Sequence, residues 1–342
     1  MCKEEILIFF MDQQVFCGLM AGLGRYIIRR LLYMIPVFIG ISILSFLVLY
    51  AAGDPIRIML IGKPNITAET IEALKTYYGL DKPIPIQYLT WLWNLLHGNF
   101  GRSLYAARPV NQLISSWFLE TVKLQLISIG LALVISIFVG VLSAKRQYSK
   151  LDLTVTPIAL FGVSMPTFWL GIILIVVFSF NLGWLPSSGA YGDPVKWWGD
   201  PFLDSIAHII LPAVVLTYVS LAQNIRLIRA NMLEVLRQDY ILAAKASGLP
   251  ERTIIYKYAL RNAISPVITY LGLSLGGIIG GAPITETVFG WPGLGRRFVD
   301  AALQLDFPVV MAITMVITIM TLVANLITDI SYAVLDPRIR ID

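Results

Sequence analysis

The chain has 342 residues, of which 57% are hydrophobic and only 14% charged, and its mean hydropathy is +0.75. A soluble globular domain carries about 25% charged residues, so this composition excludes an ordinary soluble enzyme or binding module and points to a polytopic membrane protein. The formal net charge of +5 comes from basic residues at the ends of apolar runs rather than from a basic, aromatic-studded face, which argues for membrane topology and against nucleic acid as a partner.

Residues Met1–Gly24 come first. They are acidic at Glu4, Glu5 and Asp12, do not resemble a cleaved signal with a basic start, and are expected to form a poorly ordered extension. The two cysteines, Cys2 and Cys17, match no metal or disulfide pattern. From Arg25 to Asp342 a single all-α membrane domain is expected, with six spans at about 31–52, 124–144, 153–180, 206–225, 263–284 and 309–328. The third run is about 42 Å of helix against a hydrocarbon core of about 30 Å, so it must tilt, overhang or break, and Pro157 and Pro166 are the places for a break. Between the first two spans, residues 53–120 form a large loop with helical structure of its own. Thr67 is placed to cap a helix bearing the stripe Ile71, Leu74 and Tyr78, Gly79 ends it, and a second helix, Ile86–Leu96, carries Trp91 and Trp93. If the N-terminus is cytoplasmic, fifteen Lys and Arg residues fall in cytoplasmic segments and three, Lys196, Arg296 and Arg297, in short outer loops. That asymmetry places both termini, and the polar segment 226–261, in the cytoplasm.

Residues 226–261 are the most informative stretch. Met232, Leu233, Leu236, Tyr240, Ala243 and Ala244 recur at three-and-four spacing, as on one buried face of a helix. Gly248 stands where a left-handed residue would end that helix, and Pro250 and Glu251 suit the first turn of the next. Small residues at 243, 244 and 246 permit another surface to approach closely. From these features alone, a handle for an external partner and an ordinary loop packed on its own protein both remain open. Nearer the C-terminus, Glu286-Thr287-Val288-Phe289-Gly290-Trp291-Pro292-Gly293-Leu294-Gly295 is glycine-rich but lacks the preceding strand and the Lys-Ser/Thr of a phosphate-binding loop, so the chain is not expected to hydrolyse ATP. Gly276, Gly277, Gly280 and Gly281 put small residues on one face of the fifth span, for close packing or for lining a path. No Asp, Glu or Lys falls mid-span, which sits poorly with an ion-driven carrier.

The segment around Gly248 resembles the cytoplasmic coupling motif of bacterial ABC-importer permeases, Glu-Ala-Ala, three residues, then Gly. Ala243, Ala244 and Gly248 match it, whereas Leu242 replaces the acid and Arg261 follows Leu260 where proline is common. The resemblance extends along nearly the whole chain. Arg29-Arg30-Leu31-Leu32, Gly53-Asp54-Pro55, Leu80-Asp81-Lys82-Pro83, Gly98-Asn99-Phe100-Gly101-Arg102-Ser103, Ser164-Met165-Pro166, Leu185-Pro186, the Glu286–Gly295 motif and Asp306-Phe307-Pro308 stand in order as in the dipeptide/oligopeptide permease family.

What the resemblance implies is a six-span permease of the type I ABC-importer kind, with a helical outer-loop insertion and a cytoplasmic coupling hairpin. It would sit in a bacterial or archaeal cytoplasmic membrane, in contact with lipid. Its partners would be a homologous second permease, two ABC ATPase subunits that bind ATP and Mg, and an extracellular substrate-binding protein, with no cofactor on this chain. Asp239, Ala243, Ala244, Gly248 and Leu249 would lie at the ATPase contact. Glu286, Phe289, Pro292, Gly293 and Gly295 would lie at the outer gate or binding-protein side. Di- and oligopeptides are the implied substrates. Nickel, glutathione and oligosaccharide importers of the same family remain alternatives, as do a self-sufficient ion-driven carrier and a non-transporting scaffold.

Overall fold

The computed structural model describes residues 2–54, 56, 60, 67–192, 199–264, 266–267 and 281–335. Helices account for nearly all the regular structure there: α1 Cys2–Ala52, α2 Ala68–Tyr78, α3 Ile84–Leu96, α4 Val110–Lys145, α5 Lys150–Ser164, α6 Thr167–Asn181, α7 Pro201–Val235 and α8 Asp239–Ala246. Then α9 runs through Glu251–Thr253, Ile254–Ala259 and Leu260–Ala263, followed by α10 Pro283–Val288, α11 Leu294–Leu303 and α12 Phe307–Leu335. Four helical stretches among the described residues are long and apolar enough to cross a membrane: Gly24–Ala52, Val110–Lys145, Pro201–Val235 and Phe307–Ile330.

Several elements differ from the sequence expectations. α1 is helical from Cys2, where composition predicts a poorly ordered extension to Gly24. The overlong third run breaks at Met165–Pro166 into α5 and α6, and Pro157 stays inside α5. The end of α6 widens to π-helical turns over Ile175–Asn181. α7 continues well past the expected end of the fourth span, to Val235, so the first part of the polar segment is a stem continuous with that span. The middle of the expected fifth span, including Gly276, Gly277 and Gly280, lies outside the described residues, as do Asn65, Ile66, Lys196, Arg338 and Arg340.

In the first long loop, local chemistry decides. Thr67 Oγ1 accepts from Thr70 N–H at 3.3 Å, and Gly79, at φ 69°, closes α2 with its N–H on Thr76 C=O. Trp91 and Tyr88 of α3 pack on Phe46 of α1, while Trp93 is exposed. The loop is fastened to the far end of the chain by Asp306, whose Oδ2 accepts from Ser103 Oγ at 2.5 Å and whose Oδ1 accepts from Leu104 N–H at 3.1 Å.

The centre of the molecule is the long parallel pair α4 and α7, with α12 packed on α1. Gly140 of α4 allows the close approach, since a Cβ there would meet Ile228 Cγ2 at 2.8 Å. Thr217 of α7 donates to the Ser128 carbonyl of α4 at 3.1 Å, and Lys123 Nζ to Ser205 Oγ at 2.7 Å. One apolar cluster closes each end of this pair. Val141, Ala144, Ile228, Met232, Ile241, Ile254, Ile255 and Ala259 gather at one end; Leu124, Ala190, Ile209, Ala213 and Trp291 gather toward the other.

Candidate functional site

Two compact elements stand at opposite ends of the α4–α7 pair. The first is the hairpin α8–α9. The chain turns at Leu236–Gln238, so α7 and α8 are separate helices and the expected single face from Met232 to Ala244 is broken in two. Met232 and Ile241, both fully buried, anchor the two pieces. α8 ends in a Schellman arrangement. Gly248 N–H bonds Lys245 C=O at 3.0 Å and Leu249 N–H bonds Ala244 C=O at 3.3 Å, with Gly248 at φ 75°. Pro250, at φ −63°, then starts α9. Asn262 Nδ2 donates to Tyr240 Oη at 2.7 Å, tying the limbs together.

The hairpin's buried side thus rests on its own protein while its tip does not. Asp239, Tyr240, Leu242, Ala243, Ala246, Ser247, Gly248 and Leu249 are exposed, and Ala244 is half-buried. Leu242 and Leu249, at 52% and 37% exposure, add apolar area to this small-residue surface. A Cβ built on Gly248 would have nothing within 4 Å. Of the five residues expected at the coupling contact, Asp239, Ala243, Gly248 and Leu249 are exposed on the hairpin, and Ala244 is half-buried against its apolar cluster. Ile241, the residue that fastens that surface, was not singled out in the sequence. It is the apolar residue i+9 from Met232, a spacing that reads as a partner of Met232 only once the bend at 236–238 is known.

The second element is the motif Glu286–Gly295, spanning α10 and the start of α11. Glu286 is fully buried. Its Oε1 accepts from Thr121 Oγ1 at 3.2 Å and Ala282 N–H at 3.3 Å, and its Oε2 accepts from Arg296 N–H at 2.9 Å. Thr121 Oγ1 in turn accepts from Leu294 N–H at 2.7 Å. The carboxylate therefore sits over the N-terminus of α11, where free N–H groups and the helix dipole favour an anion. Burial pushes the Glu286 carboxyl up from its ordinary value, and the bonds from Arg296, Ala282, Thr121 and Gly295 oppose that shift.

Gly293 and Gly295 of the motif, and Gly281 before it, are explained by this carboxylate. A Cβ on Gly293 would lie 2.5 Å from Glu286 Cδ, one on Gly281 2.8 Å from Oε1, and one on Gly295 2.9 Å from Oε2. Phe289 is buried against Leu211, Val215 and Gly171, and Trp291 is fully buried with Nε1 donating to Glu120 C=O at 3.0 Å. In this structure Glu286 and Phe289, expected on the outer side, point into the protein, and Gly293 and Gly295 are buried beside them, because the carboxylate needs its donors and the aromatic ring its apolar pocket. Pro292 is half-buried, Thr287 is the exposed residue of this motif, and Ile284 just before it is exposed as well. Among the described residues no group of three or more His, Cys, Asp and Glu is arranged to hold a metal.

Comparison with known proteins agrees with this architecture. Residues 136–341 match the family described as binding-protein-dependent transport system inner membrane component, and residues 23–125 match the N-terminal region of such membrane components. The chain is 47% identical over 320 residues to the oligopeptide transport system permease protein AppB of Bacillus subtilis, covering 93% of this chain and 100% of that one. It is 40% identical over 335 residues to the dipeptide transport system permease protein DppB of Escherichia coli K12, covering 92% and 98%. It is 38% identical over 334 residues to the di/tripeptide transport system permease protein DppB of Pseudomonas aeruginosa, again covering 92% and 98%.

Proposed function

The chain belongs to the family of binding-protein-dependent transport system inner membrane components, and from that membership we propose that it is one of two permease subunits of an ATP-driven peptide importer. Di- or oligopeptides, the substrate class named for its relatives in Bacillus subtilis and Escherichia coli, are the substrate. A homologous second permease completes the path, an external binding protein delivers the peptide, and two partner ATPases supply energy with their own ATP and Mg. The chain itself carries no catalytic site. It lies in the cytoplasmic membrane with both termini and the α8–α9 hairpin in the cytoplasm.

One observation carries this reading: a stiff, rigidly anchored hairpin that exposes small and apolar residues at its tip. Exposed apolar area of this kind is costly to leave in water and suits a docking contact. Closure of the ATPase pair on ATP would shift the hairpin, and the hairpin would carry α7 with it. The mechanism requires only that the ATPases grip the hairpin differently in their two states.

The test is ATP hydrolysis and peptide uptake by the reconstituted assembly, with and without binding protein, for the wild-type chain and for Gly248→Glu. A Cβ at Gly248 meets nothing within 4 Å, so the cost of a side chain there within this chain is that of the left-handed backbone at φ 75°. The expected result is peptide-stimulated hydrolysis in the wild type and loss of ATPase association in the variant. ATPases that never associate with the wild type, together with peptide uptake on an ion gradient alone, would overturn the reading in favour of a secondary carrier.

A further inference from the structure

The junction of α4 and α5 is bound to α7, the stem of the hairpin, and to α9, its second limb. At its heart Asp152 is 3% exposed, and its carboxylate accepts four hydrogen bonds. Oδ1 accepts from Arg229 Nε at 2.6 Å and from the Ser143 hydroxyl; Oδ2 accepts from Arg229 Nη2 at 2.8 Å and from Tyr148 N–H at 2.9 Å. Tyr148 takes a left-handed conformation at φ 62° within this turn. Beside it, Lys145 at the end of α4 pairs with Glu251, the first residue of α9, at 3.1 Å. Arg229 stands on α7 between the membrane-length part of that helix and the hairpin.

These two bridges differ in kind. Lys145 and Glu251 are largely exposed, so their pair is screened and weak. Arg229 and Asp152 form a fork-to-fork pair that specifies direction as well as distance. The carboxylate is buried, so separating the pair would leave an uncompensated charge inside the protein. The other contacts between α4 and the hairpin, at Val141 and Ala144, are apolar. Apolar surfaces can slide over one another; a bidentate ion pair holds its register.

We propose that the Asp152–Arg229 pair is the strut that carries movement of the hairpin stem into α4 and α5, with Asp152 a positioning residue that keeps ATP hydrolysis and transport coupled. The proposal rests on the reading of the chain as an ATPase-driven permease. In it, displacement of the hairpin moves α7, Arg229 pulls or pushes Asp152, and the α4–α5 turn follows as one body. Ser143 and the Tyr148 N–H hold the carboxylate toward the guanidinium, so the turn cannot lag behind the stem.

The experiment compares wild type, Asp152→Asn, Arg229→Lys and Lys145→Ala in the full reconstituted assembly, measuring co-purified ATPase, ATP hydrolysis and peptide transported per ATP hydrolysed. For Asp152→Asn the expected result is normal assembly and hydrolysis, with transport per ATP lowered by about two- to thirtyfold, the span typical of a broken coupling element. Arg229→Lys, which keeps the charge and loses the fork, is expected to fall between Asp152→Asn and wild type. Lys145→Ala is expected to match wild type. A wild-type ratio in Asp152→Asn overturns the strut. If Asp152→Asn does not assemble, Arg229→Lys decides in the same way, and failure of both to assemble makes the pair a folding contact and also overturns it. Failure of the wild type itself to couple uptake to ATP would instead overturn the underlying functional reading.

Discussion

Glu286 and Asp152 are two buried carboxylates solved in different ways. Glu286 is surrounded by neutral donors and a helix N-terminus, and the close glycines leave no room for a larger group. Glu286→Gln places an amide N–H against donors that need an acceptor, and is expected to destabilise the protein by about 1–3 kcal/mol. Gly293→Ala drives a methyl group into the carboxylate and is expected to cost about 1–3 kcal/mol or to prevent folding. Thermal unfolding in detergent checks both; a Gly293→Ala protein as stable as wild type would show that the cradle is not tight. Asp152 has a full charge partner, and the Arg229 guanidinium holds its carboxyl well below the usual carboxylate range, against the opposing effect of burial and with help from Ser143 and the Tyr148 N–H. Because the folded value lies below the unfolded one, the stabilisation is fully present above about pH 3.9, the ordinary Asp value, and is lost as the pH falls below it toward the folded value. Asp152→Asn is expected to be up to about 3 kcal/mol less stable near neutral pH and to lose less than wild type on acidification from pH 5 to 3. Parallel acid unfolding curves for the two proteins would contradict this.

The hairpin shows how an element can be rigid and exposed at once. Its rigidity comes from the α8 terminator at Gly248, the Tyr240–Asn262 bond and the burial of Ile241. Its exposed surface takes no part in that rigidity, which is why docking and folding can be separated by mutation. Gly248→Ala meets no neighbour and carries only the left-handed backbone penalty, about 1–2 kcal/mol, so it should fold and insert. Gly248→Asn tolerates the same conformation better and should bind the ATPases more nearly as wild type does. Gly248→Glu should retain the folded chain and lose the ATPases. If Gly248→Ala and Gly248→Glu lose ATPase to the same degree, backbone strain rather than steric exclusion explains the effect. The expected single helical face from Met232 to Ala244 failed here because apolar spacing continues across the bend at 236–238 by coincidence of register, and local periodicity does not register a turn closed by tertiary contacts.

Across the whole molecule, α4 and α7 form a shared axle, with the hairpin packed on one end and the Glu286 element on the other. In the proposed topology, the basic residues near the hairpin put that end of the axle in the cytoplasm. In right-side-out vesicles, a membrane-impermeant thiol reagent should label Tyr191→Cys, an exposed position near the Glu286 end, and should not label Ser247→Cys at the hairpin tip, with Cys2 and Cys17 replaced in both. The reverse pattern would invert the topology. The local features were legible without the fold: membrane-length apolar runs, the Thr67 cap, Gly79 and Gly248 as helix terminators, and Pro250 as a helix start. Each depends on solvent partition or on backbone sterics within a few residues. What needed the folded chain were the pairings between distant residues. Ser103 meets Asp306, Thr121 meets Glu286, and Asp152 meets Arg229 only after α4, α7 and α12 pack. The same packing turned Glu286 and Phe289 inward, made Ile241 the hairpin's anchor and accompanied the break at Pro166 rather than Pro157. A run of residues reports how apolar each face is, whereas the group that each buried polar atom meets is set by helices that are far apart in the chain.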